Sequence, residues 1–258
     1  MCATCGCSDG AKATVVDLET GRHTHVHEGG HSHGPTDAHG HAHEHTHETV
    51  SLEAAVLQKN DMLAQRNRAW LAGRGILALN LVSSPGSGKT ALLERTIRER
   101  GARRSITVIE GDQRTTLDAE RIRATGARSV QVNTGTGCHL EADMVWEALR
   151  ALAPEPGSLV LIENVGNLVC PALFDLGEAA KVALLSVTEG EDKPLKYPHM
   201  FQAARLVLVN KIDLLPHLDV SLERCLGFAR EVNPEAEILP VSVKTGEGLD
   251  RWYAWLDQ

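Results

Sequence analysis

Between the apolar run ILALNLVS (76–83) and the helix-forming segment ALLERTIRER (91–100) the chain places Ser83-Ser84-Pro85-Gly86-Ser87-Gly88-Lys89-Thr90. A strand, a glycine-rich turn and a helix in that order make a phosphate-binding loop, because the turn's backbone N–H groups and the helix N-terminus converge on one anion. Gly86, Ser87 and Gly88 supply the cradle, Lys89 the cation bridging β and γ oxygens, and Thr90 the hydroxyl for Mg²⁺. The usual pattern opens with glycine, and Ser83 stands there in this chain.

Such a loop needs a sheet behind it. Apolar runs of strand length recur at 76–83, SITVIEG (105–111), LVLIENVG (159–166), KVALLSVT (181–188), ARLVLVN (204–210) and EILPVSV (237–243), separated by helix-length amphipathic segments. This alternation predicts an α/β fold, a mostly parallel central sheet flanked by helices, over residues 76–258. Within 50–75, SLEAAVLQKNDMLAQRNRAWLAG repeats apolar positions at helical spacing and ends at Gly73, predicting a lead-in helix. Residues 1–49 differ: with no aromatic residue and only five of Met, Val, Ile or Leu, they cannot offset their ordering entropy by burial and are expected to be largely disordered.

Charge and hydropathy exclude several classes of partner. With 26 Lys and Arg against 34 Asp and Glu, the net charge of −8 argues against nucleic acid and against anionic membrane surfaces. No stretch approaches the roughly 18 to 20 apolar residues of a membrane helix, and MCATCGCSDG lacks the apolar core of a secretion signal. The cytoplasm is the expected compartment.

Asn210-Lys211-Ile212-Asp213 ends the run ARLVLV, where ligand-binding loops leave a parallel sheet. Asp213 would accept from the guanine N1–H and exocyclic amine, a pair adenine lacks, while Lys211 lays its stem along the base. Ser242-Val243-Lys244, after another strand, resembles the last guanine-contacting loop of G proteins. GTP is therefore favoured over ATP, and a P-loop small-molecule kinase is disfavoured. Glu163 in Glu163-Asn164-Val165-Gly166 and Asp112 in Glu110-Gly111-Asp112 are the candidate Mg²⁺ carboxylates, and the Gly166 N–H is placed to sense the γ-phosphate. No Gln or Arg occupies an obvious water-orienting or finger position, which predicts slow intrinsic hydrolysis.

Soft-metal donors form three groups. Cys2, Cys5 and Cys7 crowd the N-terminus, where three sulfurs and one nitrogen suit Ni²⁺ in a square plane or Zn²⁺ in a tetrahedron. His23, His25, His27, His31, His33, His39, His41, His43, His45 and His47 offer many interchangeable imidazole sites, as expected of a nickel buffer or store. Cys138 and His139 open the segment LEADMVWEALR, and Cys170 follows Gly166 by four residues, so a metal pocket there would move with the γ-phosphate segment. Completing its shell needs Cys170, water, or the same residues from a second subunit.

Together, the Cys-x-x-Cys-Gly-Cys start, the His-rich stretch, SSPGSGKT, EGDQ, NTGTGCH, ENVGNLVCP, SVTEGEDKPLKYP, NKIDLLP and SVKTGEG resemble the HypB family of GTPases that insert nickel into [NiFe] hydrogenase. Ser83 matches that family's own loop. The resemblance implies a SIMIBI-class G domain and GTP-promoted homodimerisation. It also implies a nickel site at Cys2, Cys5 and Cys7, and a nickel or zinc site at Cys138, His139 and Cys170. The implied partners are a HypA-type metallochaperone and the hydrogenase large-subunit precursor. Leu214, Leu215 and Leu218 are candidates for the dimer contact or for the core. The alternatives are a urease-type accessory GTPase, which pairs Cys and His across a proline rather than side by side, a zinc-delivering GTPase, and a nickel store with a regulatory G domain.

Overall fold

The computed structural model describes residues 14–17, 23–25, 45–112, 117–135 and 137–258. In chain order the strands are β1 (Thr14–Asp17), β2 (His23–His25), β3 (Leu77–Ser83), β4 (Ile106–Asp112), β5 (Arg128–Asn133), β6 (Leu159–Glu163), β7 (Ala180–Ser186), β8 (Ala204–Asn210) and β9 (Glu237–Pro240). The longer helices are α1 (His45–Ala72), α2 (Lys89–Arg100), α3 (Leu117–Arg123) and α4 (Ala142–Leu152). The short α5 (Cys170–Leu173), α6 (Lys193–Lys196) and α7 (Pro198–Gln202) follow, then α8 (Leu222–Val232) and α9 (Leu249–Leu256). No helix among the described residues is long and apolar enough to cross a membrane.

Among the described residues the sheet runs β2-β1-β5-β4-β6-β3-β7-β8-β9. The seven strands from β5 to β9 are parallel, and β1 pairs antiparallel with β5 and with β2. The expected α/β architecture with a mostly parallel sheet is therefore present. Strand β3 is central, with β6 on one side and β7 on the other. The crevice beyond its C-terminal end lies where chain connections depart in opposite directions, the usual ligand position in such sheets. One face of the sheet packs Leu79, Leu81, Val182 and Leu208 against Leu92 of α2 and Trp252 of α9. The other packs Ala78, Ile109, Val160 and Ile162 against Leu71 of α1 and Val145 and Leu149 of α4.

Some expected boundaries shift. The 159–166 run pairs only to Glu163 and the 237–243 run only to Pro240, leaving their last residues for loops at the crevice. No apolar run announces β5, whose Ser129 and Gln131 are nevertheless buried beneath its neighbours. In the N-terminal extension, Val15 and Val16 fall in β1, and the backbone of His23 and His25 in β2. The lead-in helix begins at His45 rather than at residue 50, and Gly73 N donates to Ala69 O to close its end. Its buried stripe corrects the expected apolar pattern: Asn60, Ala64, Asn67 and Leu71 face inward while Val56 and Met62 are exposed. The reason is what the helix covers. It lies on backbone ends that need hydrogen-bond partners, and asparagine provides both donor and acceptor.

Candidate functional site

Loops from β3, β4 and β6 meet Lys211 of the loop after β8 around a cavity of about 600 Å³ lined by residues 85–91, Glu110, Gly111, Arg121, residues 163–166 and Lys211. Gly86 and Gly88 take the left-handed backbone with φ of +74° and +104°, which a side chain would strain. A Cβ on Gly88 would also lie 2.6 Å from Asn210 Nδ2. Ser83 has a definite role where the usual loop carries glycine: its hydroxyl accepts from Lys89 Nζ at 2.8 Å and from Ser87 Oγ at 2.6 Å, and donates to Ser84 O. Ser84 Oγ donates to Glu189, whose other oxygen accepts from Ser186 N at 2.9 Å, tying the loop to the turn after β7.

Thr90 Oγ1 donates to Glu163 Oε1 at 2.8 Å, so the hydroxyl and carboxylate expected at Mg²⁺ are adjacent and buried. Gly166 sits against the phosphate loop, where a Cβ would lie 3.1 Å from Pro85. The side chain of Asp112 lies outside the described residues, although its backbone ends β4. Glu110 was not singled out by sequence. It is buried in the cavity wall, in register with Glu163 on the neighbouring strand. Period-two alternation from Asp112 was the signal available for it. Arg121 is a second addition: no finger position was legible, yet α3 brings this guanidinium to the cavity, with Nη2 donating to Glu94 Oε2 at 2.9 Å.

The base-side residues line a neighbouring cavity of about 670 Å³ that includes Asn210, Lys211, Asp213, Val243 and Lys244. Asn210 braces the loops: Nδ2 donates to Ser87 O at 2.9 Å and Oδ1 accepts from Val243 N at 3.1 Å. Lys211, at φ +65°, reaches across to donate to Gly86 O at 2.7 Å. Asp213 Oδ1 accepts from Ser242 Oγ at 2.6 Å. Arg95 of α2, missed in the sequence, holds the last loop by donating to Val243 O at 2.7 Å. Leu214, Leu215 and Leu218 are half-buried, packed against the core between β8 and α8.

The second constellation is joined to residues 163–166 by Leu140 N donating to Asn164 Oδ1 at 3.2 Å. Ligand atoms of Cys138, His139 and Cys170 fall within 4.8 Å of one another, and all three residues are buried. Cys138 Sγ lies 3.7 Å from His139 Nδ1. The loop carrying them is closed by Gly137 N donating to Thr134 O at 2.9 Å and Thr134 Oγ1 donating to Gly137 O at 2.7 Å. Cys170 starts α5, while α4 begins only at Ala142, beyond the expected position beside Cys138. His139 lies against Phe174 with ring centroids 3.9 Å apart. Burial pushes its pKa down to about 4, so the imidazole is neutral near pH 7 and keeps a lone pair for a metal. Two sulfurs and one imidazole within that span suit a soft or borderline divalent ion. Cys2, Cys5, Cys7 and His27, His31, His33, His39, His41 and His43 lie outside the described residues, as do the side chains of His23, His25, His45 and His47.

Residues 77–240 match the family model described as CobW/HypB/UreG, nucleotide-binding domain. The hydrogenase maturation factor HypB of Rhizobium leguminosarum bv. viciae is 61% identical over 208 residues, covering 81% of this chain and 70% of the relative. The crystal structure of HypB from Archaeoglobus fulgidus is 40% identical with a TM-score of 0.74, covering 78% of this chain and 98% of that one. HypB from Helicobacter pylori, crystallised in complex with nickel, is 39% identical with a TM-score of 0.72, covering 77% and 93%.

Proposed function

The chain belongs to the CobW/HypB/UreG family, in its HypB hydrogenase-maturation branch, and from that premise we propose that it is a GTP-hydrolysing nickel metallochaperone of [NiFe] hydrogenase assembly. The observation that carries this is the contiguity of two sites. Residues 163–166 line the phosphate cavity, and Asn164 of that segment accepts from the N–H of Leu140, the residue after His139 in the buried Cys138, His139 and Cys170 cluster.

In this reading Gly86, Ser87, Gly88 and Lys89 bind the phosphates, and Lys89 moves from the Ser83 hydroxyl to the β and γ oxygens. Thr90 and Glu163, with Asp112 in support, would hold Mg²⁺, which would supply positive charge against that developing on the transferred phosphoryl group. The Thr90–Glu163 pairing supports that donor set. Asp213 selects guanine, flanked by Lys211 and by the Ser242-Val243-Lys244 loop, and Asn210 keeps the two loops in register. Hydrolysis is slow, so the nucleotide works as a switch.

Nickel is the cargo. Cys138, His139 and Cys170 bind it, or zinc, in a pocket whose affinity follows the Gly166 segment, and two copies of the chain associate when GTP is bound. Leu214, Leu215 and Leu218 are half-buried here, which supports a core role at least as well as a dimer contact. Cys2, Cys5 and Cys7 form a second nickel site, and the histidines from His23 to His47 a reserve. A HypA-type chaperone and the hydrogenase large-subunit precursor are the proposed partners in the cytoplasm.

Nickel titration with a non-hydrolysable GTP analogue and with GDP, on wild type and on a Cys138→Ser, Cys170→Ser variant, tests the proposal. The wild-type affinity is expected to differ between nucleotide states and the variant's to lose that difference. Equal affinities in wild type, with no change of mass by light scattering, overturn it.

A further inference from the structure

A chain of buried polar side chains crosses the centre of the sheet on the α1 and α4 face. Asn80, fully buried in mid-β3 between Leu79 and Leu81, donates from Nδ2 to Glu178 Oε1 at 3.1 Å. Its Oδ1 accepts from Asn164 Nδ2 at 3.1 Å. Glu178 also pairs with Lys181 Nζ at 2.9 Å. A leucine or valine would suit this position in a parallel sheet, and an unsatisfied polar group there costs roughly 1 to 3 kcal/mol. Packing alone therefore does not account for an asparagine at 80.

The two ends of the chain do account for it. At one end Asn164 Oδ1 accepts from Leu140 N at 3.2 Å and from Val165 N at 3.0 Å. Leu140 follows His139 directly, and Asn164 lies between Glu163 and Gly166 in the phosphate-cavity wall. At the other end Glu178 Oε2 accepts from Leu176 N at 2.7 Å, two residues beyond the Phe174 ring that lies against His139. Both supports of the imidazole thus hang on one hydrogen-bonded network, and that network is anchored in the segment facing the phosphates.

We propose that Asn80 and Glu178 are positioning residues that brace the Asn164 amide against the Phe174–Leu176 side, so that the phosphate state of residues 163–166 passes through Asn164 to the Cys138, His139 and Cys170 cluster. The proposal rests on the nucleotide–metal coupling put forward above. When the Asn164 backbone shifts, its amide carries the Leu140 N–H with it, while Glu178 holds the Phe174–Leu176 side still. His139 is then displaced relative to its stacking ring, and the donor geometry changes. Neither Asn80 nor Glu178 lines the phosphate cavity.

The test uses the full-length chain with Cys2→Ser, Cys5→Ser and Cys7→Ser, so that thiolate-to-nickel charge-transfer absorbance reports the inner cluster. Nickel is titrated with a GTP analogue and with GDP, on that background and with Asn80→Leu or Glu178→Gln added. The ratio of the two affinities is expected to be about 5- to 150-fold in the background, the usual range of coupling between sites. In either added variant the ratio falls toward one, with GTP affinity unchanged. A merely structural role would weaken nickel equally in both states and keep the ratio, which overturns the relay while leaving the coupling intact. A background ratio of one overturns the coupling and the relay together. If Asn80→Leu fails to fold, Glu178→Gln decides, because it keeps one acceptor oxygen and loses the other.

Discussion

Truncating Asn67 to alanine isolates how the lead-in helix secures the loop that carries Cys138 and His139. Asn67 is fully buried, and its Nδ2 donates to Ala142 O at 2.6 Å and to Leu176 O at 3.0 Å. These carbonyls belong to the two segments flanking His139, one starting α4 and the other following Phe174. With the cost of a buried carbonyl left short of a donor included, each of the two hydrogen bonds is worth about 1 to 2 kcal/mol, so the loss is about 2 to 4 kcal/mol. For a domain of this size each kcal/mol lowers Tm by about 2 to 4 °C, giving an expected drop of roughly 5 to 15 °C. Thermal unfolding of the metal-free chain, followed by circular dichroism, measures it. Met62→Ala on the exposed face of the same helix, where 67% of the residue is accessible, is the control and should shift Tm by less than about 2 °C. Asn67→Asp, which keeps the volume but offers no donor to either carbonyl, should fall at least as far as Asn67→Ala. If Asn67→Ala melts with the Met62 control, the two bonds do not hold α1 to the segments beside His139.

Asp213→Ala should weaken GTP by about 100-fold or more while leaving ATP little changed, since the proposed role of the lost carboxylate is to distinguish the bases; competition binding reads this, and an unaltered preference counts against guanine selection. Glu163→Gln should slow phosphate release by about 100-fold or more, as loss of a group stabilising developing charge does, and a wild-type rate would remove Glu163 from the chemistry. Stability of the metal-free protein should depend on pH through His139, whose folded pKa is pushed down to about 4. The unfolded imidazole protonates near 6.5, so this contribution is nil above pH 6.5 and becomes a penalty as pH falls from 6.5 toward 4, reaching about 3 kcal/mol. Urea unfolding of wild type and His139→Gln from pH 7.5 to 4.5 should show that extra acid loss only in wild type, and parallel curves would refute it.

The features legible in the sequence are those where chemistry restricts a position to few residue types. A backbone at φ +104° that must also clear Asn210 admits glycine at 88, so the phosphate loop announces itself. Asp213 and Ser242 stand in the loops that follow β8 and β9, where a parallel sheet delivers side chains to its crevice. Cys138, His139 and Cys170 stood out because thiols and imidazoles cluster for few reasons other than metal. Glu110 and Arg121 were harder: each is an ordinary acid or base in sequence, and only the register of β4 beside β6 and the placement of α3 bring them to the cavity.

The least legible residues are the buried polar ones, and the reason is physical. Reading by hydrophobic period assigns the interior to apolar side chains, so Asn60, Asn67, Asn80 and Glu178 register as surface or as breaks in a pattern. Their partners lie far along the chain: 115 residues separate Asn60 from Asp175, 109 separate Asn67 from Leu176, and 98 separate Asn80 from Glu178. No local signal can reveal such a pairing. Yet a satisfied polar network inside a low-dielectric core permits few alternative arrangements, because any shift that breaks one bond exposes the cost of an unmatched group. Apolar contacts can slide at little cost. A segment that holds one of two definite positions is better built on hydrogen bonds than on leucines, and Asn60, Asn67 and Glu178 bond to backbone at Ala142, Asp175 or Leu176, close to the loops that carry Cys138, His139 and Cys170, while Asn80 reaches the first of them one bond further on, through Asn164.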